Sequence, residues 1–176
     1  MYLKSKAKLD LGDIYLLKGE AWESTLLYSQ VEKTQKENPV GYEAKLKNAK
    51  LSYFKGNFRL AQEHLDILKE ATTREIANDA MDLSMRIKEN IAFDSVGEAL
   101  KQYALVELLL YQNKIDSALL KINQLKEGIS DSVAFSNQAI LGDVYWLEAN
   151  IQMKRGEFHE SIGLLQKILV EYPHDL

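Results

Sequence analysis

The sequence has no cysteine, and only two prolines and nine glycines occur among its 176 residues. Without cysteine, the chain can form neither a disulfide framework nor a thiolate metal site. The small number of prolines and glycines, together with frequent Leu, Ala, Glu and Lys, favours helix along almost the whole chain. No apolar run approaches the length of about 20 residues that crosses a bilayer. We therefore expect no insertion into a membrane.

The chain also lacks a concentration of charge of either sign. Its 26 acidic and 22 basic residues give a net charge of −4, and the two signs are mixed along the sequence. A nucleic-acid surface needs clustered Lys and Arg to neutralise phosphates, so we expect no nucleic-acid partner. The first residues, 1–6, lack the apolar core of a signal peptide. The absence of cysteine fits the cytoplasm and the periplasm equally.

Motifs of catalysis are scarce as well. The three histidines, His64, His159 and His174, do not have the i, i+4 spacing of a zinc-binding helix, and no HExxH motif occurs. Ser-x-x-Lys occurs at residues 5–8 and 52–55, but the motifs that accompany it in acyl-transferring enzymes are missing. No Gly-rich phosphate loop and no nucleophile elbow is present. We expect no catalytic residue, no metal and no cofactor.

The sequence does contain a pattern that recurs four times around a turn residue. The turn residues are Gly19, Gly56, Asn113 and Gly156. Seven residues before the turn lie Gly12, Ala49, Val106 and Ala149, and five residues after it lie Ser24, Ala61, Ala118 and Ser161. Nine residues after the turn lie Tyr28, Leu65, Ile122 and Leu165, and twelve after it lie Val31, Leu68, Leu125 and Ile168.

This pattern predicts a helical hairpin repeated four times. Glycine, or asparagine in the third copy, takes the left-handed conformation that ends a helix. Small residues on each side of the turn allow two helix backbones to approach closely. The large apolar residues share one face of the second helix because they are three residues apart. Such a hairpin cannot bury its apolar faces alone, so neighbouring hairpins are expected to stack on it.

The pattern resembles the tetratricopeptide repeat family. The fourth copy matches best, from Ala149 through the closing pair Tyr172 and Pro173, whereas the third has Asn113 and Val106 in place of glycine and a small residue. The tryptophan that the family has near the start of the first helix is missing in every copy. The resemblance implies a right-handed superhelix, and we expect the chain to be a fragment of a longer bacterial-type protein of this family.

The predicted fold is an all-α solenoid of antiparallel helical hairpins, with about nine helices and no strand, in a single domain over residues 1–176. The predicted hairpins cover approximately residues 2–37, 39–70, 95–127 and 132–173. An additional irregular helix is predicted at about 72–93, because the spacing between the second and third turns is too long for one unit. Two capping boxes, Thr72 to Glu75 and Ser95 to Glu98, start helices in this region, and Gly128 to Asp131 predicts a break.

The resemblance also implies a function, which is to hold a peptide or protein segment on the concave face formed by the first helix of each hairpin. The candidate contact residues are the ones that the family's geometry places on that face: Leu46, Lys50, Tyr53, Tyr103, Glu107, Trp146, Asn150 and Met153. The polar positions lack the paired Lys, Asn and Arg clamp with which chaperone-binding members hold a terminal carboxylate. No carboxylate clamp is therefore expected.

Two alternatives remain open at the level of sequence. The first is a structural or assembly module that packs within a longer repeat protein or forms homo-oligomers through exposed repeat ends, near Leu3, Leu164 and Leu169. The second is a helper domain of a hydrolytic enzyme whose catalytic part lies elsewhere in a longer chain. Neither the sequence pattern nor the mixed charge identifies a partner.

Overall fold

The computed structural model describes residues 2–70, 73–91, 97–130 and 139–172. Over these ranges the chain forms nine α-helices and no strand, which confirms the all-α prediction. The helices are α1 (Tyr2–Lys18), α2 (Ala21–Thr34), α3 (Pro39–Phe54), α4 (Phe58–Leu68), α5 (Arg74–Ile91), α6 (Glu98–Tyr111), α7 (Ile115–Ser130), α8 (Ala139–Arg155) and α9 (Phe158–Glu171). None of the described helices is long and apolar enough to span a membrane.

Four turns of the same geometry connect α1 to α2, α3 to α4, α6 to α7 and α8 to α9. The backbone φ angle is positive at every predicted turn residue: 88° at Gly19, 72° at Gly56, 57° at Asn113 and 79° at Gly156. In each turn the N–H of the following residue donates to the carbonyl four residues before the turn, with N···O distances of 2.8 to 2.9 Å. This bond satisfies a carbonyl that the helix end would otherwise leave without a partner.

Small residues let the two helices of a hairpin approach closely, as predicted. The Ser24 hydroxyl donates to the Gly12 carbonyl at 2.8 Å, and the Ser161 hydroxyl donates to the Ala149 carbonyl at 2.9 Å. Both serines lie five residues after the turn, and both carbonyls belong to the residue seven before it. The first and fourth hairpins therefore share a buried hydrogen bond at the same position.

The chain divides into two compact units, and the first comprises Met1–Glu89 with Tyr111–Asn113. In this unit α1 pairs with α2, α3 pairs with α4, and α2 packs against α3. The connection from α2 to α3 requires Gly41, because a Cβ atom there would meet the backbone of Gln35, the residue after α2, with the carbonyl carbon at 2.7 Å. The Gln62 amide also donates to the Ser84 hydroxyl at 2.7 Å, joining α4 to α5.

The second unit comprises Asn90–Leu110 and Lys114–Leu176. Its hairpin of α8 and α9 is packed along its length, and α7 packs against α8. The core of this unit contains Leu100, Tyr103, Val106, Ile122 and Ile140, all of which are fully buried. The prediction of one continuous array across both units stays a prediction.

The predicted limits of the domain and of its hairpins stay predictions, and several of them fall on residues outside the described ranges. Helix α5 lies where the additional irregular helix was predicted. The break at Gly128 is wrong, because α7 continues through Gly128 to Ser130. The buried side chains of Leu125 and Ile129 hold this turn of helix and offset the helix-weakening glycine between them. The residues Thr72, Ser95, Asp131, Pro173 and His174 lie outside the described part of the chain.

Candidate functional site

The predicted contact residues are divided between the two units. Leu46, Lys50 and Tyr53 belong to the first unit, and Tyr103, Glu107, Trp146, Asn150 and Met153 belong to the second. Three of the eight are core residues: Tyr53 and Tyr103 are each 1% exposed, and Leu46 is 7% exposed. Replacing either tyrosine with alanine would cost about 3–5 kcal/mol of stability, as large-to-small changes of buried aromatics do. Such variants would test folding rather than binding.

Lys50 is half exposed, and it is engaged in an ion pair. Its ammonium lies 2.9 Å from the Asp79 carboxylate, which joins α3 to α5. Two further pairs join α3 to α1: Lys6 to Glu43 at 3.0 Å and Lys47 to Asp13 at 2.8 Å. In the first unit, the face shared by α1, α3 and α5 is thus crossed by pairs of opposite charge.

Trp146, Asn150 and Met153 lie at i, i+4 and i+7 on α8, so they share one face of this helix. Trp146 is 54% exposed and Met153 is 48% exposed. The Asn150 amide donates to the Trp146 carbonyl at 2.7 Å within the helix. These three residues, which we call the α8 stripe, form the exposed part of the predicted site in the second unit.

A concave surface lies in the first unit between α2 and α4, and α3 forms its floor. Its volume is about 890 Å³, and its lining includes Thr25, Ser29, Glu32, Lys45, Asn48, Leu60 and His64. We call it the α2–α4 groove. Its volume falls in the range of about 300–1,000 Å³ that is typical of ligand sites. None of the eight predicted contact residues lines it.

A cluster of polar side chains from three helices forms the centre of the groove. The Glu32 carboxylate accepts hydrogen bonds from Lys45 at 2.5 Å and from Asn48 at 2.7 Å. The Asn48 side chain is buried, and the Lys45 and Glu32 side chains are about one-fifth exposed. Burial opposes ionisation of Glu32, but the hydrogen bonds from Lys45 and Asn48 outweigh it, so its pKa is lowered.

His64 approaches the same carboxylate from α4. Its Nδ1 atom lies 3.8 Å from Glu32 Oε1, which is too long for a hydrogen bond. Burial disfavours the imidazolium and lowers the pKa of His64, while the negative charge of Glu32 opposes this shift. His64 is therefore partly buried, and its surroundings disfavour the protonated imidazolium more than water does.

The lining of the groove, including its rim, carries more positive than negative charge. Lys33, Lys36, Lys45 and Lys55 line it, against Glu32 and Glu37. Lys45 is paired with Glu32, and Lys55 donates to the Thr25 hydroxyl at 3.1 Å. Lys33 and Lys36 are exposed and form no salt bridge with any other described residue. Two lysines at this rim are therefore available to an acidic group.

The sequence pattern could not locate this groove, because its polar residues belong to three helices that only tertiary packing brings together. One signal was present: Asn48 interrupts the apolar positions of α3 and is nevertheless buried. A polar residue at a core position predicts a partner, but the pattern does not say which one. Within the described ranges, no three or more His, Asp or Glu side chains lie close enough to hold a metal ion.

The chain was compared with protein families, with curated proteins and with solved structures. No family model matches it. No curated protein and no solved structure matches it either.

Proposed function

We propose that the chain is a non-catalytic binding scaffold of tetratricopeptide-like hairpins, and that it holds a segment of a partner protein in the α2–α4 groove. The observation that carries this proposal is the groove itself. Its centre holds the hydrogen-bonded side chains of Glu32, Lys45 and Asn48, and its rim carries Lys33 and Lys36, which form no salt bridge with another described residue. The repeated turn geometry and the shared serine hydrogen bonds support the resemblance to the family.

The size of the groove favours a short extended segment. Along α2 its lining runs from Thr25 to Lys33, which is about 12 Å at the rise of an α-helix. An extended peptide of about four residues covers that distance. The groove is also open to solvent along this side, so a segment within a longer chain can enter and leave it at both ends.

The lining favours a segment with an acidic residue beside a large apolar one. Lys33 and Lys36 provide two ammonium groups for a carboxylate. On the opposite wall, Leu60 and Ile67 expose apolar side chains to solvent. Covering such a surface is favourable by about 25 cal/mol for each Å² of apolar area removed from water. The charges set orientation and association rate, and the apolar contact supplies affinity.

The α8 stripe is a second candidate surface, because exposed Trp and Met on one helix face are residues that often dominate binding energy. Trp146 and Met153 are seven residues apart on that face. A partner helix or strand could lie along them. This surface belongs to the second unit and is independent of the α2–α4 groove, so one set of variants separates the two.

The experiment begins with selection from a library of random seven-residue peptides on the immobilised protein. Sequences in which Asp or Glu neighbours Leu, Ile or Phe should be enriched. The affinity of one enriched peptide is then measured by calorimetry for the wild type and for Ile67→Glu. We expect Ile67→Glu to weaken binding at least about tenfold, which is the effect of losing about 1.4 kcal/mol at an apolar contact.

Matched variants identify the surface. The double variant Lys33→Glu and Lys36→Glu should slow association and remove its dependence on salt, whereas Lys154→Glu, which changes an exposed lysine outside the groove, should not. Trp146→Ala should leave binding unchanged, as should Trp22→Ala, which removes the other exposed tryptophan. Loss of binding in Trp146→Ala with Ile67→Glu unaffected would move the site to the α8 stripe. A library without enrichment would contradict peptide binding on either surface.

A further inference from the structure

Two helices expose apolar stripes whose equivalents elsewhere in the chain are covered. On α9 the exposed residues are Phe158, Ile162, Leu165 and Leu169, which we call the α9 face. On α1 they are Leu3, Ala7, Leu11 and Ile14, which we call the α1 face. In both sets the spacing follows one side of an α-helix. The α9 face is compared with the second helices of other hairpins, and the α1 face is compared with the first helices of other hairpins.

The α9 face corresponds to a covered face in other hairpins. Its residues lie 2, 6, 9 and 13 positions after the turn residue Gly156. The same offsets give Ala21, Thr25, Tyr28 and Glu32 in α2, and Ile115, Leu119, Ile122 and Lys126 in α7, and none of these eight residues is exposed. Helix α3 packs on α2, and α8 packs on α7. The α9 face thus has the position of a surface on which another first helix packs.

The α1 face corresponds to positions that are buried in the first helices of other hairpins. Its residues lie 16, 12, 8 and 5 positions before the turn residue Gly19. The same offsets give Val40, Ala44, Asn48 and Leu51 in α3, and Ile140, Val144, Glu148 and Ile151 in α8, and all eight are buried. These are the residues that the preceding second helix covers. All four residues of the α1 face are exposed instead.

One pair of positions makes the match specific. Where α2 packs on α3, the residue 13 after the turn, Glu32, accepts a hydrogen bond from the residue 8 before the next turn, Asn48, at 2.7 Å. Where α7 packs on α8, the same two positions hold Lys126 and Glu148, at 2.8 Å. Each contact inside the chain thus joins these positions by a polar pair.

At the two uncovered faces the same positions are occupied by leucine on both sides. Leu169 lies 13 residues after its turn and is 69% exposed, and Leu11 lies 8 residues before its turn and is 42% exposed. A leucine at one position would be incompatible with a buried charge at the other, since an unpaired buried charge is costly. Two leucines are compatible with each other.

We propose that two copies of this chain associate head to tail, with the α9 face of one copy on the α1 face of the other. The contact reproduces the packing of α2 on α3 and of α7 on α8. Leu169 of one copy then covers Leu11 of the other. Because the two surfaces differ, the interface is heterologous, and the dimer as a whole leaves one α9 face and one α1 face available for further addition.

Sedimentation velocity over a wide range of protein concentration tests this association. The mean mass of the wild type should rise with concentration and pass twice the monomer mass. Leu169→Glu blocks the α9 face and Leu11→Glu blocks the α1 face, and each variant alone should remain monomeric. Circular dichroism checks that both are folded, which their exposure leads us to expect. Leu120→Glu, at an exposed leucine outside both faces, is the matched control and should associate as the wild type does.

An equimolar mixture of Leu169→Glu and Leu11→Glu gives the decisive result. The first variant retains the α1 face and the second retains the α9 face, so the mixture should form one-to-one dimers and nothing larger. Association of Leu11→Glu alone would show that two α9 faces pair with each other, which would overturn the proposal, as would association of Leu169→Glu alone. A wild type that stays monomeric at all concentrations would contradict it and leave a different protein as the occupant of both faces.

Discussion

At the scale of single residues, the Glu32 carboxylate connects three helices. It lies on α2, accepts hydrogen bonds from Lys45 and Asn48 on α3, and is approached by His64 from α4. Removing one partner of a partly buried charged group costs more than the net value of the bond, because the remaining charge loses its compensation. The hydrogen bonds of Glu32 to Lys45 and Asn48 therefore hold α2, one wall of the α2–α4 groove, against α3.

His64 gives stability a pH dependence with a definite sign. Its pKa is lower in the folded chain than in the unfolded chain. Below the ordinary histidine pKa of about 6.5, the unfolded state therefore binds more protons, and stability falls as pH decreases until the folded-state pKa is reached. We expect the wild type to lose stability as the pH falls below about 6.5, and His64→Gln to lose less. Urea unfolding at several pH values measures the difference.

His159→Gln is the control for this measurement, because His159 is exposed on α9. It should keep the wild-type slope of stability against pH. The lowered pKa of Glu32 acts in a separate window: its contribution is complete above the ordinary value of about 4.5 and is lost as pH falls through the folded-state pKa. Equal slopes for the wild type and His64→Gln above that window would show that burial of His64 carries no proton penalty.

At the scale of the helical hairpin, the residue seven before the turn and the residue nine after it are matched in size. In the first hairpin the smallest residue, Gly12, lies under the largest, Tyr28. A Cβ atom on Gly12 would lie 2.9 Å from Tyr28 Cδ1 and closer still to Cε1. The second hairpin instead combines alanine with leucine at the same two positions, Ala49 and Leu65, and both are fully buried. Two different pairs of residues, glycine with tyrosine and alanine with leucine, thus allow the two helices of a hairpin to approach closely.

A double-mutant cycle tests this matching. Gly12→Ala should destabilise the wild type by about 1–3 kcal/mol, as overpacking of a core does. In a Tyr28→Leu background the same change should be neutral or stabilising, because it recreates the alanine and leucine pair and removes a helix glycine. Chemical unfolding of the four proteins gives the coupling free energy.

Gly128→Ala separates packing from helix propensity in this cycle. Gly128 lies in α7 with open space at its Cβ position, so alanine there should stabilise by up to about 1 kcal/mol through propensity alone. If Gly12→Ala has the same effect in both backgrounds, the Tyr28 ring is not what the glycine accommodates.

The hairpins and their turns could be predicted from sequence because their signals are local. A left-handed glycine or asparagine and small residues at fixed offsets need no knowledge of the rest of the chain. The binding face could not be predicted in the same way. Tyr53 and Tyr103 share the 3.6-residue period of contact residues, but a helix between two neighbours buries more than one face, and periodicity does not distinguish them. The groove cluster of Glu32, Asn48 and His64 depends on packing between hairpins, which no local pattern encodes.

At the scale of the whole molecule, the same two helix positions can be compared between the covered faces and the uncovered faces. The positions that join Glu32 to Asn48 and Lys126 to Glu148 inside the chain hold Leu169 in α9 and Leu11 in α1, where both side chains are exposed. A polar pair suits a contact made once within a chain, because it selects one partner at some cost in desolvation. An apolar pair suits a contact between separate copies, since burial of leucine supplies affinity without requiring a paired charge.

If the native copies associate through these faces, their stability must depend on protein concentration. A partner that binds only the folded state raises apparent stability by an amount that grows with its concentration relative to Kd. We therefore expect the thermal unfolding midpoint of the wild type to rise with protein concentration, and the midpoints of Leu169→Glu and Leu11→Glu to stay constant. Scanning calorimetry at several concentrations measures all three proteins. A wild-type midpoint that is constant or falls with concentration would mean that the folded chain does not bind itself, and that the partner of Leu11 and Leu169 is a different protein.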